Sequence, residues 1–133
     1  MRMLILCTGN SCRSQMAEGI LKTLYPEAEV FSAGTRPEKQ VNPYAVRAMA
    51  EIGLDISQHE PHHVDRYIEM SFDYVFTVCD HAKEVCPVFT GEVKQRKHIP
   101  FEDPADACGT DDEKMVVYRK VRDQIKFQFE NLI

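Results

Sequence analysis

The chain has 133 residues, of which 44% are hydrophobic and 28% are charged, a composition typical of one globular domain that excludes a disordered or multidomain chain. Its 16 lysines and arginines against 21 aspartates and glutamates give a net charge of −5, which argues against nucleic acid as a partner. No apolar run approaches the roughly 18 residues of a membrane span, so we expect no membrane association.

The first half of the chain predicts two strands and two helices. An apolar run at 2–6 predicts a buried strand, and apolar residues at helical spacing over 14–24 predict a helix. A second strand is expected at 29–32. Asn42, which precedes a proline, has the features of a helix N-cap, and Gly53 has those of a left-handed residue that follows a helix. We therefore expect the second helix between them.

The second half predicts two more strands and a long terminal helix. A short helix is expected at 64–70, and strands are expected at 73–78 and 92–99. After a polar loop, apolar residues at helical spacing predict a helix over 115–132. Alternating strands and helices favour parallel pairing. The sequence therefore predicts an α/β fold, a single-domain three-layer αβα architecture with a four-stranded parallel sheet.

The cysteines are odd in number, and the N-terminus shows no secretory signal pattern. A full disulfide framework is therefore disfavoured, and the alternatives are reactive thiols or metal-binding thiols. We expect a cytoplasmic, monomeric protein. The five cysteines are Cys7, Cys12, Cys79, Cys86 and Cys108.

The segment CTGNSCRS, between the first strand and the first helix, carries the strongest functional signal. Gly9 and Asn10 readily take a positive φ and turn successive N–H groups inward, while the helix start and Arg13 add positive charge. We expect a tetrahedral oxyanion here, attacked by a strongly acidified Cys7 that the Ser14 hydroxyl holds in position. The predicted anion-binding residues are Thr8, Gly9, Asn10, Ser11, Cys12 and Ser14.

This segment resembles the phosphate-binding loop of the low-molecular-weight protein tyrosine phosphatases and of the thioredoxin-coupled arsenate reductases that share their fold. The longer run CTGNSCRSQMAEG, at 7–19, is similar to the arsenate reductase version, and Gln15 departs from the phosphatase pattern, which usually has proline there. The resemblance continues through SAG at 32–34 and VNP at 41–43 to the terminal helix. It implies an arsenate reductase for arsenic detoxification that needs no cofactor and retains some phosphatase activity.

The same resemblance assigns a thiol relay to three cysteines. Cys7 attacks arsenate, Cys79 displaces arsenite as a disulfide forms, and Cys86 draws that disulfide to the surface, where thioredoxin reduces it. A helical segment would hold Cys79 and Cys86 about 10 Å apart, so their disulfide requires it to unwind. The residues alone also allow two core cysteines, or a metal site formed by Cys79, His81 and Cys86.

A general acid is expected near the anion, because an oxygen must leave arsenic as water. The resemblance assigns this role to Asp103, with Glu102 as an adjacent alternative; by residue type alone, this acidic pair is typical of a solvated loop. Phosphatases of this fold usually carry an aromatic residue after Asp-Pro. Ala105 stands there in this chain, which favours a small inorganic oxyanion.

The related reductases can also bind a potassium ion beside the loop. Asn10, Glu18 and Ser32 match three of its ligands, whereas His62 stands at the position of the fourth, an aspartate. Cys108 has no role in the family and is expected to be exposed. Four histidines show no metal-ligand spacing and are expected at the surface: His59, His62, His63 and His98.

Two other functions remain open. One is a tyrosine phosphatase that uses Cys7, Arg13 and Asp103 alone, and the other is a non-catalytic thiol sensor whose disulfide switch changes its affinity for a partner protein. Cys12 is expected to pack under the loop, although a disulfide with Cys7 would protect the nucleophile in a phosphatase-like protein.

Overall fold

The computed structural model describes residues 1–79 and 89–131. Its four strands form one parallel sheet in the order β2-β1-β3-β4. This arrangement confirms the predicted α/β fold with a four-stranded parallel sheet. The strands are β1 (Arg2–Cys7), β2 (Glu29–Gly34), β3 (Phe72–Cys79) and β4 (Val93–Phe101), and the helices are α1 (Arg13–Leu24), α2 (Pro43–Ala50) and α3 (Asp111–Glu130).

The strand order reverses beside β1. The chain passes from β1 to β2 on one side and then crosses to β3 on the other, so β1 lies between its two successors. Ligands of open parallel sheets bind at such a reversal, beyond the carboxyl ends of the strands. Cys7 and Cys79, the last residues of β1 and β3, lie at that edge.

The three helices of the described residues pack on one face of the sheet. Apolar side chains of α1, α2 and α3 form one buried cluster with Met3 and Ile5 of β1. The opposite face carries a second cluster, in which Leu4 and Leu6 contact Val64, Tyr67 and Phe89. Alternate residues of β1 therefore point to opposite clusters, which fixes the register of the strand that carries the active-site loop.

Two predicted helices have different bounds in the structure. The helix expected at 64–70 is a single 3-10 turn, Val64–Arg66, because the Ile68 carbonyl accepts a hydrogen bond from the N–H of Thr90 rather than continuing a helix. The terminal helix begins earlier than expected, because Thr110 and Glu113 form a capping box. Gly53 has a φ of 79°, which confirms the left-handed residue predicted after α2.

No helix in the described part of the chain is long and apolar enough to cross a membrane.

Candidate active site

The loop between β1 and α1 turns on a single left-handed residue. Asn10 has a φ of 51°, and it is the one non-glycine residue with a positive φ in 1–79 and 89–131. Its side chain is completely buried: Nδ2 donates to Ser14 Oγ at 2.8 Å and to Ser32 Oγ at 3.0 Å, and Oδ1 accepts from the His62 N–H at 2.9 Å. These bonds offset the strain of the left-handed conformation and fix the loop.

Every backbone carbonyl from Cys7 to Cys12 accepts a hydrogen bond from within the protein. Most of the donors lie in a segment after β2 that runs alongside the loop. Because these carbonyls are engaged elsewhere, the loop can present its N–H groups to the cleft, an arrangement that suits an anion. The donors are the N–H groups of Thr35, Arg36, Glu38, Asn42 and Met16 and the side-chain amide of Gln15, and they bond the carbonyls of Cys7, Thr8, Gly9, Ser11, Cys12 and Asn10 respectively.

The loop encloses a cleft of about 270 Å³. Arg13 closes one side: it is only 6% exposed, its Nη1 donates to the Phe101 carbonyl at 3.1 Å, and its Nη2 lies 3.4 Å from Asp103 Oδ2. A guanidinium fixed in this way presents a planar pair of donors to a tetrahedral anion. The cleft is lined by Cys7, Thr8, Gly9, Asn10, Ser11, Cys12, Arg13, Arg36, Glu38, Asp103 and Ala105.

The structure distinguishes the two carboxylates that the sequence left as alternative acids. Asp103 lines the cleft beside Arg13, and its Oδ1 accepts a hydrogen bond from the N–H of Ala105. Glu102 is instead paired with Lys120, whose Nζ lies 2.5 Å from Glu102 Oε1. Asp103 is therefore the carboxylate placed to exchange a proton with a bound anion.

Cys7 and Cys79, the last residues of the neighbouring strands β1 and β3, form an interacting thiol pair. The hydrogen bond from Cys7 lowers the pKa of the Cys79 thiol to about 6, and the Thr8 hydroxyl, 3.8 Å from Cys79 Sγ, acts in the same direction. The same bond to Cys79, followed by burial, raises the pKa of Cys7. The strong acidification of Cys7 expected from the sequence is therefore not found in the unliganded pair, because the interaction with Cys79 and burial both raise the pKa of Cys7.

Cys12 packs under the loop, as expected, and contacts α3. Its Sγ lies 3.9 Å from Tyr118 Oη, and burial raises its pKa to about 11. A buried thiol with a raised pKa is a poor nucleophile at neutral pH. Cys108 is exposed, as predicted, and lies outside the cleft lining.

Ser14 and Cys86 are two other residues that the sequence assigned to the site. Ser14 was expected to hold the Cys7 thiolate, but it is fully buried behind the loop and its hydroxyl oxygen accepts from Asn10 Nδ2. It therefore orders the loop and does not line the cleft. Cys86, like His81, lies outside the residues that the structure describes.

The residues proposed to hold potassium do not fit that ion as they are arranged. Ser32 Oγ donates to Glu18 Oε1 at 2.7 Å, while Glu18 Oε2 lies 2.7 Å from Lys22 Nζ and 3.3 Å from His59 Nδ1. Asn10 turns its amide nitrogen, not its oxygen, toward Ser32. The Lys22 ammonium already neutralises the charge of Glu18, and both oxygens of that carboxylate already have partners. A potassium ion would therefore gain little from binding here.

Sequence reasoning missed several residues that shape the site. His59, expected at the surface, is partly buried and contacts Gln15 Oε1 at 3.0 Å, and burial lowers its pKa. Gln15 in turn donates to the carbonyls of Asn10 and Glu60. The segment 35–42 contributes backbone N–H groups. Because nearly every residue type has such a group, the sequence carries no sign of this role. Gln15 alone had a signal, because it replaces a proline in the phosphatase pattern.

The fold and the cleft agree with the comparison with known proteins. A family model described as low molecular weight phosphotyrosine protein phosphatase matches residues 2–133. The chain belongs to the low-molecular-weight phosphotyrosine protein phosphatase family. Within this family, it is 53% identical over 121 residues to an arsenate reductase of Halalkalibacterium halodurans and 48% identical over 121 residues to one of Oceanobacillus iheyensis. Each alignment covers 90% of this chain and 86% of the relative.

A solved structure gives the same result. A structure described as an arsenate reductase in the phosphate-binding state is 32% identical and superposes with a TM-score of 0.81, covering 98% of this chain and 95% of the other. These similarities confirm the predicted resemblance to arsenate reductases of the low-molecular-weight phosphatase fold.

Proposed function

We propose that this protein is an arsenate reductase, which reduces arsenate to arsenite with electrons from its own thiols. The observation that carries the proposal is the position of Cys79 beside Cys7: the two thiols end the neighbouring strands β1 and β3, and the Thr8 hydroxyl of the oxyanion loop lies 3.8 Å from Cys79 Sγ. Phosphate ester hydrolysis needs one nucleophilic thiol, whereas reduction of arsenic needs a second thiol in reach of the first. The relatives named arsenate reductase support the same conclusion.

In the first step, the N–H groups of the loop and the Arg13 guanidinium hold arsenate above Cys7. Cys7 passes its proton across the hydrogen bond to Cys79 and attacks arsenic as a thiolate. An arsenic–oxygen bond breaks, and the oxygen leaves as water after it takes a proton from Asp103. The negative charge that develops is stabilised by donors that are already in place.

In the second step, Cys79 loses its proton again and attacks Cys7 Sγ. The sulfur–arsenic bond breaks, its electron pair stays on arsenic, and As(III) leaves as arsenite with the proton that Cys79 released. The Thr8 hydroxyl, which lies next to Cys79 Sγ, favours the thiolate form of this second nucleophile. The products are arsenite and a Cys7–Cys79 disulfide, so the two thiols supply both electrons.

In the third step, the disulfide passes outward. Cys86 attacks Cys79, which forms a Cys79–Cys86 disulfide and frees Cys7, and the dithiol of thioredoxin then reduces this disulfide. The proposed role of Cys86 rests on its position seven residues after Cys79 and on the family resemblance. No resident metal or organic cofactor is required by this scheme, because thiol exchange carries the electrons.

The test is arsenate-dependent NADPH consumption with thioredoxin and thioredoxin reductase, alongside hydrolysis of p-nitrophenyl phosphate. We expect Cys79→Ser and Cys86→Ser to abolish multiple-turnover reduction while ester hydrolysis survives. Cys108→Ser is the matched control, because it removes an exposed thiol outside the cleft. If arsenate drives no turnover but the aryl phosphate is hydrolysed efficiently, the protein is a phosphatase instead.

The proton donor is tested in the same assay. Asp103→Asn is expected to lower kcat by roughly 10²- to 10⁴-fold. Glu102→Gln, which removes the neighbouring carboxylate that pairs with Lys120, is expected to leave kcat within about threefold of wild type.

A further inference from the structure

The cleft continues into a second, more open groove of about 580 Å³. Ser11, Glu38 and Ala105 line both spaces, so they mark the passage between them. An organic group attached to an anion in the cleft would leave through this passage and lie in the groove. Lys39, Gln40, Asn42 and Pro43 line the rest of the groove.

Glu38 is held at this passage by its own backbone. Its N–H donates to the Gly9 carbonyl at 2.8 Å, within the set of bonds that engages the loop carbonyls. Its side chain lies against the loop: a Cβ on Gly9 would lie 3.2 Å from Glu38 Cγ and 3.8 Å from Glu38 Oε1. The carboxylate therefore stands beside the anion-binding N–H groups, where Gly9 leaves space for it.

The charge of Glu38 is not balanced by an ion pair with any residue in 1–79 or 89–131. Arg36 lines the cleft but not the groove, and Lys39 lines the groove but not the cleft, so Glu38 is the charged residue common to the two linings. A small oxyanion keeps its charge among the loop N–H groups and Arg13. An anion with an acidic organic arm would place a second negative charge next to Glu38, where repulsion is little screened at short range.

We propose that Glu38 is a specificity-determining residue, whose carboxylate at the junction of cleft and groove disfavours anions that carry a second acidic group. It leaves the cleft to small inorganic oxyanions and to esters with uncharged arms. This inference deepens the proposed function and rests on the same cleft. Two features would then favour small oxyanions: the carboxylate of Glu38 and the lack of an aromatic side chain at Ala105.

The test compares two non-hydrolysable ligands that differ by one carboxylate, phenylphosphonate and 4-carboxyphenylphosphonate. Their dissociation constants are measured from the protection of Cys7 against iodoacetamide, followed by peptide mass spectrometry, with inorganic phosphate as reference. This readout needs no turnover, so it separates the charge filter from the thiol relay. The variants are Glu38→Gln and, as a matched control, Glu92→Gln, which removes one charge at the opposite ends of the strands.

In the wild type and in Glu92→Gln, we expect the carboxylated ligand to bind more weakly than phenylphosphonate. In Glu38→Gln, the ratio of the two dissociation constants should fall by roughly three- to tenfold, and the change should shrink in high salt. An unchanged ratio in Glu38→Gln, with phosphate protection intact, overturns the inference and leaves the reductase proposal standing. Absence of protection by inorganic phosphate overturns the oxyanion cleft itself, and both proposals with it.

Discussion

Gly34→Ala should distort the active-site loop, although Gly34 belongs to β2 and not to that loop. Gly34 ends β2 beside Cys7, and a Cβ at this position would lie 2.3 Å from the Thr8 carbonyl oxygen and 3.1 Å from the Asn10 nitrogen. Ordinary contact begins at 3.4 Å, so the loop or the strand must shift by about 1.1 Å, and neither clashing atom belongs to a side chain that can rotate away. A displacement of about 1 Å at a catalytic loop costs on the order of 10²-fold in kcat/KM, or about 2.7 kcal/mol.

The assay is arsenate reduction under kcat/KM conditions, together with the dissociation constant of inorganic phosphate, which should rise in parallel. Gly19→Ala is the matched control, because its Cβ would meet only the side-chain ends of Ile56 and Met49, at 3.0 and 3.1 Å. We expect that control to lower the melting temperature with little loss of kcat/KM. If Gly34→Ala is folded and keeps kcat/KM within threefold of wild type, the loop tolerates the shift and the reasoning is refuted.

Two further predictions concern protons. In Cys79→Ala, Cys7 loses the hydrogen-bonded thiolate that raises its pKa, so its alkylation rate should reach half-maximum at a lower pH than in the wild type; an unchanged or higher midpoint would contradict this. Hydrogen bonds from Arg119 and Arg122 lower the pKa of Glu51 to about 2, so its stabilising effect is present above its unfolded-state pKa of 4.5 and is lost as the pH falls toward 2. The wild type should therefore lose more of its melting temperature than Glu51→Gln between pH 5 and pH 2, and parallel curves would refute the pairing.

The elements and the anion loop could be predicted because their signals are local. The strand before Cys7, the helix after it and the left-handed conformation of Asn10 all follow from neighbouring residues. Predicting Asp103 rather than Glu102 as the acid needed the family resemblance, since both are acidic residues in one loop. In the structure, Asp103 lines the cleft beside Arg13, whereas Glu102 pairs with Lys120.

What could not be predicted depends on contacts between distant segments. The acidity of Cys7 was wrong because the sequence shows the helix start and Arg13, which lower its pKa, but not the sharing of a proton with a thiol of another strand. The potassium ligands matched by residue type, yet the Lys22 ammonium one turn along α1 already occupies the carboxylate of Glu18.

Because Cys79 lies close to Cys7, two nucleophiles compete for any covalent adduct that an anion forms on Cys7. They attack different atoms of that adduct. Water attacks the central atom of the anion and regenerates the thiol, whereas Cys79 attacks sulfur and leaves the central atom reduced. A thiol hydrogen-bonded to its target has an effective concentration that bulk solvent rarely matches. Under the proposed mechanism, arsenic accepts the electron pair and phosphorus does not, so the same cleft would reduce one anion and hydrolyse esters of the other.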